Sequence, residues 1–517
     1  MRILLASGEL YPYSKTGGLA DMVAALAKAL AKAGHQVAVV TPLYRGVKAR
    51  NPDIKPFPWH LALPVGDRTM QARLWVSHPR RGLTIYFVNQ PDYYDRASIY
   101  HQGGIEYPDN SARFTFLSKC VAHLARHLPL QPELVHVHDW HVGAVPMLIR
   151  HQAAHEGWIN PPRTCLTIHN LAYQGRFAAV HYRELNLPWD YFNADGMEFY
   201  GDVNHLKAGI AFSDEITTVS PRYAQEITTP EFGCGLDGIL RARAQVLTGI
   251  LNGADYEEWR TTRNKYLPHA YSSRDMSGKA VNKRALQAEL GMTPSPQTPL
   301  FGSVTRLAHQ KGVEIQLAAL EEMLATDMQF VLLGSGQIEF ETAFMDLAKQ
   351  YPGKVAVRIG YDHGLAHRVE AGSDFFLMPS QFEPCGLNQM YSLRYGTVPI
   401  VRAIGGLDDS VIDLREDPDH ATGIKFHEYI SGALVKAIRK AQALWQEPAL
   451  LEHLRQNGMQ EDFSWEHTAG EYVAVYQTLL TPPTPVTGAP DADAGSPLPP
   501  PVTDDIAPDR LAASSIP

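Results

Sequence analysis

The sequence predicts an α/β protein of two parallel-sheet halves that face one another across a cleft, followed by a disordered tail. Three observations predict it. Short buried apolar runs alternate with helical segments along most of the chain. A pattern of strand, glycine-bearing loop and helix opens the chain and restarts near residue 299. Beyond residue 480 the composition turns to Pro, Ala, Ser, Thr and Asp, with hardly a large apolar side chain to bury.

The first strand is expected over residues 2–6. It runs into the loop of SKTGGLADMV, Ser14 to Val23, which places a lysine beside two glycines. Glycines after a buried strand let backbone approach a partner closely, and the lysine suggests that this partner is negative. A helix is expected over residues 19–33, where Met22, Val23, Leu26, Ala29, Leu30 and Ala33 share one face and Gly34 ends it. A strand over 36–40 completes a βαβ unit. Further strands are expected over 83–88, 134–137, 165–168 and 215–219, the connection between halves near Leu251-Asn252-Gly253, and second-half strands over 299–304, 330–333, 355–359, 374–378 and 398–401. The cleft at the strand C-termini of two such sheets is the expected ligand site.

The 517 residues are 45% hydrophobic and 20% charged, a soluble balance, and the net charge of −9 argues against general nucleic-acid binding. No window reaches the roughly 18 consecutive apolar residues of a membrane span. Ile3 to Ala6 is too short for a signal-peptide core. Cys120, Cys165, Cys234 and Cys385 are far apart, without a Cys-x-x-Cys pair, so a reduced, cytoplasmic protein without a zinc site is expected.

Several constellations could carry chemistry. Arg306 and Lys311 lie in the loop after the second half's first strand, where two cations facing a cleft can neutralise a diphosphate. Glu383 and Gly386 sit at a strand-to-helix turn, where free backbone N–H groups bind anions. Glu383 could accept hydrogen bonds from a sugar's hydroxyls, or it could simply complement the helix dipole. In His136-Val-His138-Asp139-Trp140-His141 the aspartate stands one place too early for the common metallohydrolase arrangement, and no partner group accompanies it. A cleft-facing polar cluster at the strand end is expected there, with His169 and Asn170 ending the following strand in the same way. No metal is expected. Tyr93, Tyr94, Tyr100 and Tyr107 are either a sugar-stacking surface or ordinary loop packing.

KTGGLADMV, YPDNSARFTFLSKC, VHVHDWHVG, TIHNLAYQG, ILNGAD, TRLAHQKG, PSQFEPCGLNQMYSLRYGTVPIVRAIGGL and DFSWEHTA follow one another over roughly residues 1–480. On these stretches the chain resembles bacterial glycogen synthases and plant starch synthases, GT-B glycosyltransferases that elongate α-1,4-glucans from ADP-glucose. The resemblance implies two Rossmann-like domains: residues 1–250 on the acceptor side and 251–461 on the donor side. It also implies a helix at 462–480 returning to the first domain, ahead of the disordered tail 481–517, which is expected to be dispensable. It implies that Lys15, Gly17 and Gly18 meet the donor diphosphate and that Arg306 and Lys311 stabilise the departing ADP. Glu383 holds the donor glucose, with backbone N–H groups of Cys385, Gly386 and Leu387 nearby. His169 and Asp139 line the glucosyl pocket, Tyr361 lies on the adenine side, and Asn252 lies near the cleft.

Many retaining GT-B enzymes carry a second glutamate eight positions after the first. Tyr391 stands there in this chain, which favours the ADP-glucose branch over sucrose-phosphate or trehalose-phosphate synthases. The implied chemistry is electrostatic stabilisation of a leaving diphosphate and same-face attack by a glucan 4-hydroxyl, without cofactor or metal. The expected partners are ADP-glucose and glycogen or another α-1,4-glucan, with no nucleic acid or membrane. Two rivals are a glucan phosphorylase carrying pyridoxal phosphate and a non-catalytic glucan-binding scaffold. Lys311 and Glu383, expected on cleft loops, should matter little to folding.

Overall fold

The computed structural model describes residues 1–481. The disordered tail expected over 481–517 lies, from residue 482 onward, outside the described residues.

Two sheets organise the chain. The first has the strand order Leu247–Gly249, Glu215–Thr218, Arg163–Ile168, Leu134–His138, Arg2–Ser7, Gln36–Pro42, Leu83–Asn89, Arg68–Arg80, Lys55–Val65. Its first seven strands are parallel, and the last two form an antiparallel hairpin on the edge. The second sheet is parallel throughout, in the order Val355–Ile359, Gln329–Gly336, Leu300–Leu307, Phe375–Met378, Val398–Arg402, Ile424–Phe426. Parallel strands covered on both faces must be apolar along their length. Arg2–Ser7 is accordingly buried from Ile3 onward.

The helix Gly18–Lys32 packs Val23, Leu26 and Leu30 against the first sheet and ends at Gly34, whose φ is +91°. Lys28 and Lys32 reach away from it to Glu257, at 3.1 Å, and to Glu466. The last helix, Trp465–Leu480, lies against the first sheet. Tyr472 and Tyr476 are fully buried in that sheet's core, and the Tyr476 hydroxyl meets His136 Nδ1 at 2.7 Å. On another side the Gly405 N–H donates to Glu226 at 3.0 Å, and the Arg222 N–H donates to Asp409 at 2.7 Å. No helix among the described residues is long and apolar enough to cross a membrane, and all four cysteines are unpaired.

Each sheet reverses its strand order once at its centre. In the first, the chain leaves Arg2–Ser7 toward Gln36–Pro42 on one side and Leu134–His138 on the other. In the second, Leu300–Leu307 is flanked by Gln329–Gly336 and Phe375–Met378. A crevice opens at the carboxyl end of such a reversal, because the two crossover helices diverge to opposite faces. The loops carrying Lys15, Asp139, Lys311 and Glu383 all leave from these points.

Candidate active site

In the first crevice the loop after Arg2–Ser7 is tied down by Glu9. Its buried carboxylate accepts bonds from the Thr16 N–H, from the Thr16 hydroxyl at 2.5 Å and from the Tyr100 hydroxyl at 2.6 Å. Lys15 is therefore held at the crevice mouth with 47% of its side chain exposed, paired with Asp21 at 2.7 Å. No side chain caps the helix Gly18–Lys32 at its start. A Cβ built on Gly17 or Gly18 meets nothing within 4 Å, so backbone N–H groups face open space there. Glu9 was not legible as a site residue. Its signal was a carboxylate directly after a buried strand's end, beside Gly8.

Asp139 adopts φ +59°, unusual for a side-chain-bearing residue, which turns the chain sharply at the end of Leu134–His138. Its carboxylate accepts the His169 N–H at 2.7 Å, and burial pushes its carboxyl up to about 7. His138 Nδ1 lies 3.1 Å from His169 Nε2, and burial pushes His169 down to about 3, so it is neutral at physiological pH. The structure thus brings Asp139 and His169 together.

His136 is a correction. It is fully buried between Tyr476 and the Thr167 hydroxyl, at 2.7 and 2.6 Å, and serves packing and not a cleft-facing cluster. His141 is buried too, stacked on Tyr100 with ring centroids 4.9 Å apart. For the tyrosines, loop packing prevails at Tyr93 and Tyr94, both buried. Tyr107 packs under the Arg113 guanidinium, and Tyr100 braces Glu9.

In the second crevice Lys311 Nζ sits 2.5 Å from Glu383, whose carboxylate also accepts the Ser380 hydroxyl at 3.0 Å. Glu383 is only 8% exposed and Lys311 20%. This corrects the expectation that both are dispensable to folding, because removing the lysine strands a buried carboxylate. Arg306, at the end of Leu300–Leu307, is exposed and has no ion pair among the described residues. Gly386 has φ +73°, and Leu387 starts the helix Asn388–Arg394 without a side-chain cap. Cys385 is hydrogen-bonded with the backbone of Asn252, which joins the connection between halves to the Glu383 loop. Burial pushes the Cys385 thiol up to about 12, so it stays protonated.

Tyr361 is 79% exposed. Its hydroxyl is raised mainly by desolvation, with Lys15 and Asp21 of the first half among the charges acting on it. Trp259 stacks on Tyr391 with centroids 3.9 Å apart and planes 5° apart, an aromatic pair the sequence did not reveal.

Residues 2–242 match the family model of the starch synthase catalytic domain, and residues 293–461 that of glycosyl transferases group 1. The glycogen synthase of Anaeromyxobacter sp. (strain Fw109-5) is 47% identical over 93% of this chain and 100% of its own length. That of Myxococcus xanthus (strain DK1622) is 45% identical over 93% and 100%. The catalytic domain of starch synthase IV from Arabidopsis thaliana, solved with ADP and acarbose, superposes with a TM-score of 0.81 at 32% identity over 92% of this chain and 99% of its own. The sucrose-phosphate synthase of Thermosynechococcus elongatus shares the fold at a TM-score of 0.55 and 20% identity.

Proposed function

The chain belongs to the glycogen and starch synthase family of GT-B glycosyltransferases, and we propose that it transfers glucose from ADP-glucose to the non-reducing end of an α-1,4-glucan, with retention and release of ADP. The observation that carries the residue roles is the Lys311–Glu383 pair on the loop that follows the strand carrying Arg306. In the resting site the carboxylate holds the ammonium in place. An arriving diphosphate competes for Lys311, and Glu383 is freed to accept hydrogen bonds from the donor's hydroxyls. Lys311 and Arg306 then sit where negative charge grows as the bond from C1 to phosphate breaks. Preorganised donors at such a position are each worth ~2.7–4 kcal/mol.

The first half supplies the opposite wall. Lys15 and the open backbone of Gly17 and Gly18 meet the diphosphate from the acceptor side. Neutral His169 and Asp139 line the sugar pocket, and Tyr361 lies toward the adenine. The 4-hydroxyl of the glucan attacks from the face the diphosphate leaves. Its proton passes to a leaving phosphate oxygen, so α geometry is kept. We assign residues 1–250 to the acceptor side and 251–461 to the donor side, and place the enzyme in the cytoplasm. Closure of the two walls excludes water that would otherwise hydrolyse the donor.

The test is release of ADP and of UDP from the two glucose donors with glycogen as acceptor. ADP release with growth of the α-1,4-chain is expected. Glycogen binding without release of either nucleotide would leave a scaffold. A pyridoxal absorbance band in the pure protein would point to a phosphorylase.

A further inference from the structure

A histidine pair on one helix and a glutamate 105 positions away converge behind Tyr361. His363 and His367 lie one turn apart on the helix His363–Gly372 and therefore on one face. Glu258 comes from the connection between the halves, where the Asp255 carboxylate accepts the N–H groups of Glu257 and Glu258. His363 Nε2 lies 2.7 Å from Glu258 Oε1, His367 Nε2 lies 3.6 Å from that same oxygen, and the two Nε2 atoms are 3.3 Å apart. Among the described residues this is the only group of three such side chains able to hold a metal ion. We propose that Glu258, His363 and His367 form a binding site for one divalent transition-metal ion of the Zn2+ class.

The geometry fits such an ion. Ligand atoms at zinc–nitrogen and zinc–oxygen bond lengths of ~2.0–2.1 Å in a tetrahedron lie roughly 3.3 Å from one another. Two sides of the triangle are already near that spacing. The third is a hydrogen bond that opens when both atoms turn to a shared ion. The outer partners are also present. His367 Nδ1 meets the Tyr395 hydroxyl at 2.8 Å and His363 Nδ1 meets the Tyr361 hydroxyl at 3.1 Å, which leaves both Nε2 atoms aimed at Glu258. The His367 ring is clamped between Trp259, at 4.0 Å, and Tyr266, at 4.8 Å, so one ligand is fixed before an ion arrives.

The set offers two imidazole nitrogens and one carboxylate oxygen, the donor types such an ion takes. Lys265 and Arg368 are the cations in its field and limit the affinity. Two other histidine pairs have the same helical spacing, His123 with His127 and His151 with His155, and neither has a third ligand group among the described residues. Half-buried His363 and exposed Glu258 leave the fourth position open toward solvent. The site lies outside the reacting groups and stands whether or not the chain is a transferase.

The experiment is titration of the untagged full-length chain with Co2+, followed by its visible ligand-field absorption. One equivalent should bind with the intensity of a four-coordinate site, and one equivalent of Zn2+ should displace it. Glu258→Gln and His363→Gln should each weaken binding at least tenfold while the metal-free melting temperature stays at that of the parent. His155→Gln should change nothing. Absence of a stoichiometric band would overturn the site, as would a band that survives Glu258→Gln and His363→Gln.

Discussion

The two crevices use glycine and lysine in opposite ways. In the first, Gly17 and Gly18 have free space where a Cβ would go, and Lys15 is half in solvent. In the second, a Cβ on Gly312 would lie 1.9 Å from the Pro379 carbonyl oxygen, at φ +68°, and one on Gly406 would lie 2.2 Å from that of Cys385. There Lys311 is locked to a buried carboxylate. One loop is open around its glycines. The other is closed on its own chain. Identical residue types beside identical strand ends therefore say little about which role each takes. Neighbours distant in sequence decide it.

The largest expected effect breaks the closed side. Lys311→Ala should lower turnover roughly a hundredfold or more, from loss of ~2.7–4 kcal/mol of stabilisation of the leaving group. It should also lower the melting temperature, because Glu383 keeps only Ser380 as a partner. The double variant Lys311→Ala with Glu383→Gln should regain the melting temperature and none of the activity. Calorimetry and initial rates on the same preparations check both halves. A single variant with parental turnover would remove Lys311 from the chemistry.

Lys15→Ala should cost about tenfold in kcat/KM, near 1.4 kcal/mol, with an unchanged melting temperature, since its ion pair with Asp21 is exposed. Equal losses at Lys15 and Lys311 would erase the contrast between the crevices.

The glycines sharpen it from the side of stability. Gly17→Ala should leave folding within about 0.5 kcal/mol of the parent and raise the KM for the nucleotide sugar severalfold. Gly312→Ala should destabilise the protein in a denaturant titration, because its Cβ has nowhere to go. A Gly17→Ala variant with parental KM would show that the open space is not donor space.

The last effect is a slope. The Asp139 carboxyl sits near 7 when folded, against about 3.9 in an unfolded chain. The folded state holds this proton more tightly, so the group's contribution to stability declines as pH rises from about 4 to 7 and is constant above. Asp139→Asn should flatten stability against pH in that window, as read from urea midpoints at several pH values.

The buried parallel strands were legible because a strand covered on both faces has no choice but to be apolar. The Lys55–Val65 and Arg68–Arg80 hairpin was not, since Pro56, Pro58 and Pro64 mask the alternation of Phe57, Trp59, Leu61, Leu63 and Val65 with exposed neighbours on the edge strand. Site loops could be found as glycine and charge at strand ends. Their pairings could not, because Lys311 meets Glu383 across 72 positions and Glu258 meets His363 across 105. His136 misled for a related reason. A histidine at a strand end looks ready for a ligand until a helix from the far end of the chain covers it.

That covering helix has a consequence for biosynthesis. The ribosome makes His136 and its neighbours some 340 positions before Tyr476, so the first sheet leaves the exit tunnel with the part of its core around His136 bare. At ~5–20 residues per second the wait for Trp465–Leu480 is on the order of tens of seconds. A message truncated anywhere between the two sheets yields a chain whose apolar slot for two tyrosines stays vacant. Such fragments are natural prey for quality-control proteases, and only the finished polypeptide carries its own plug.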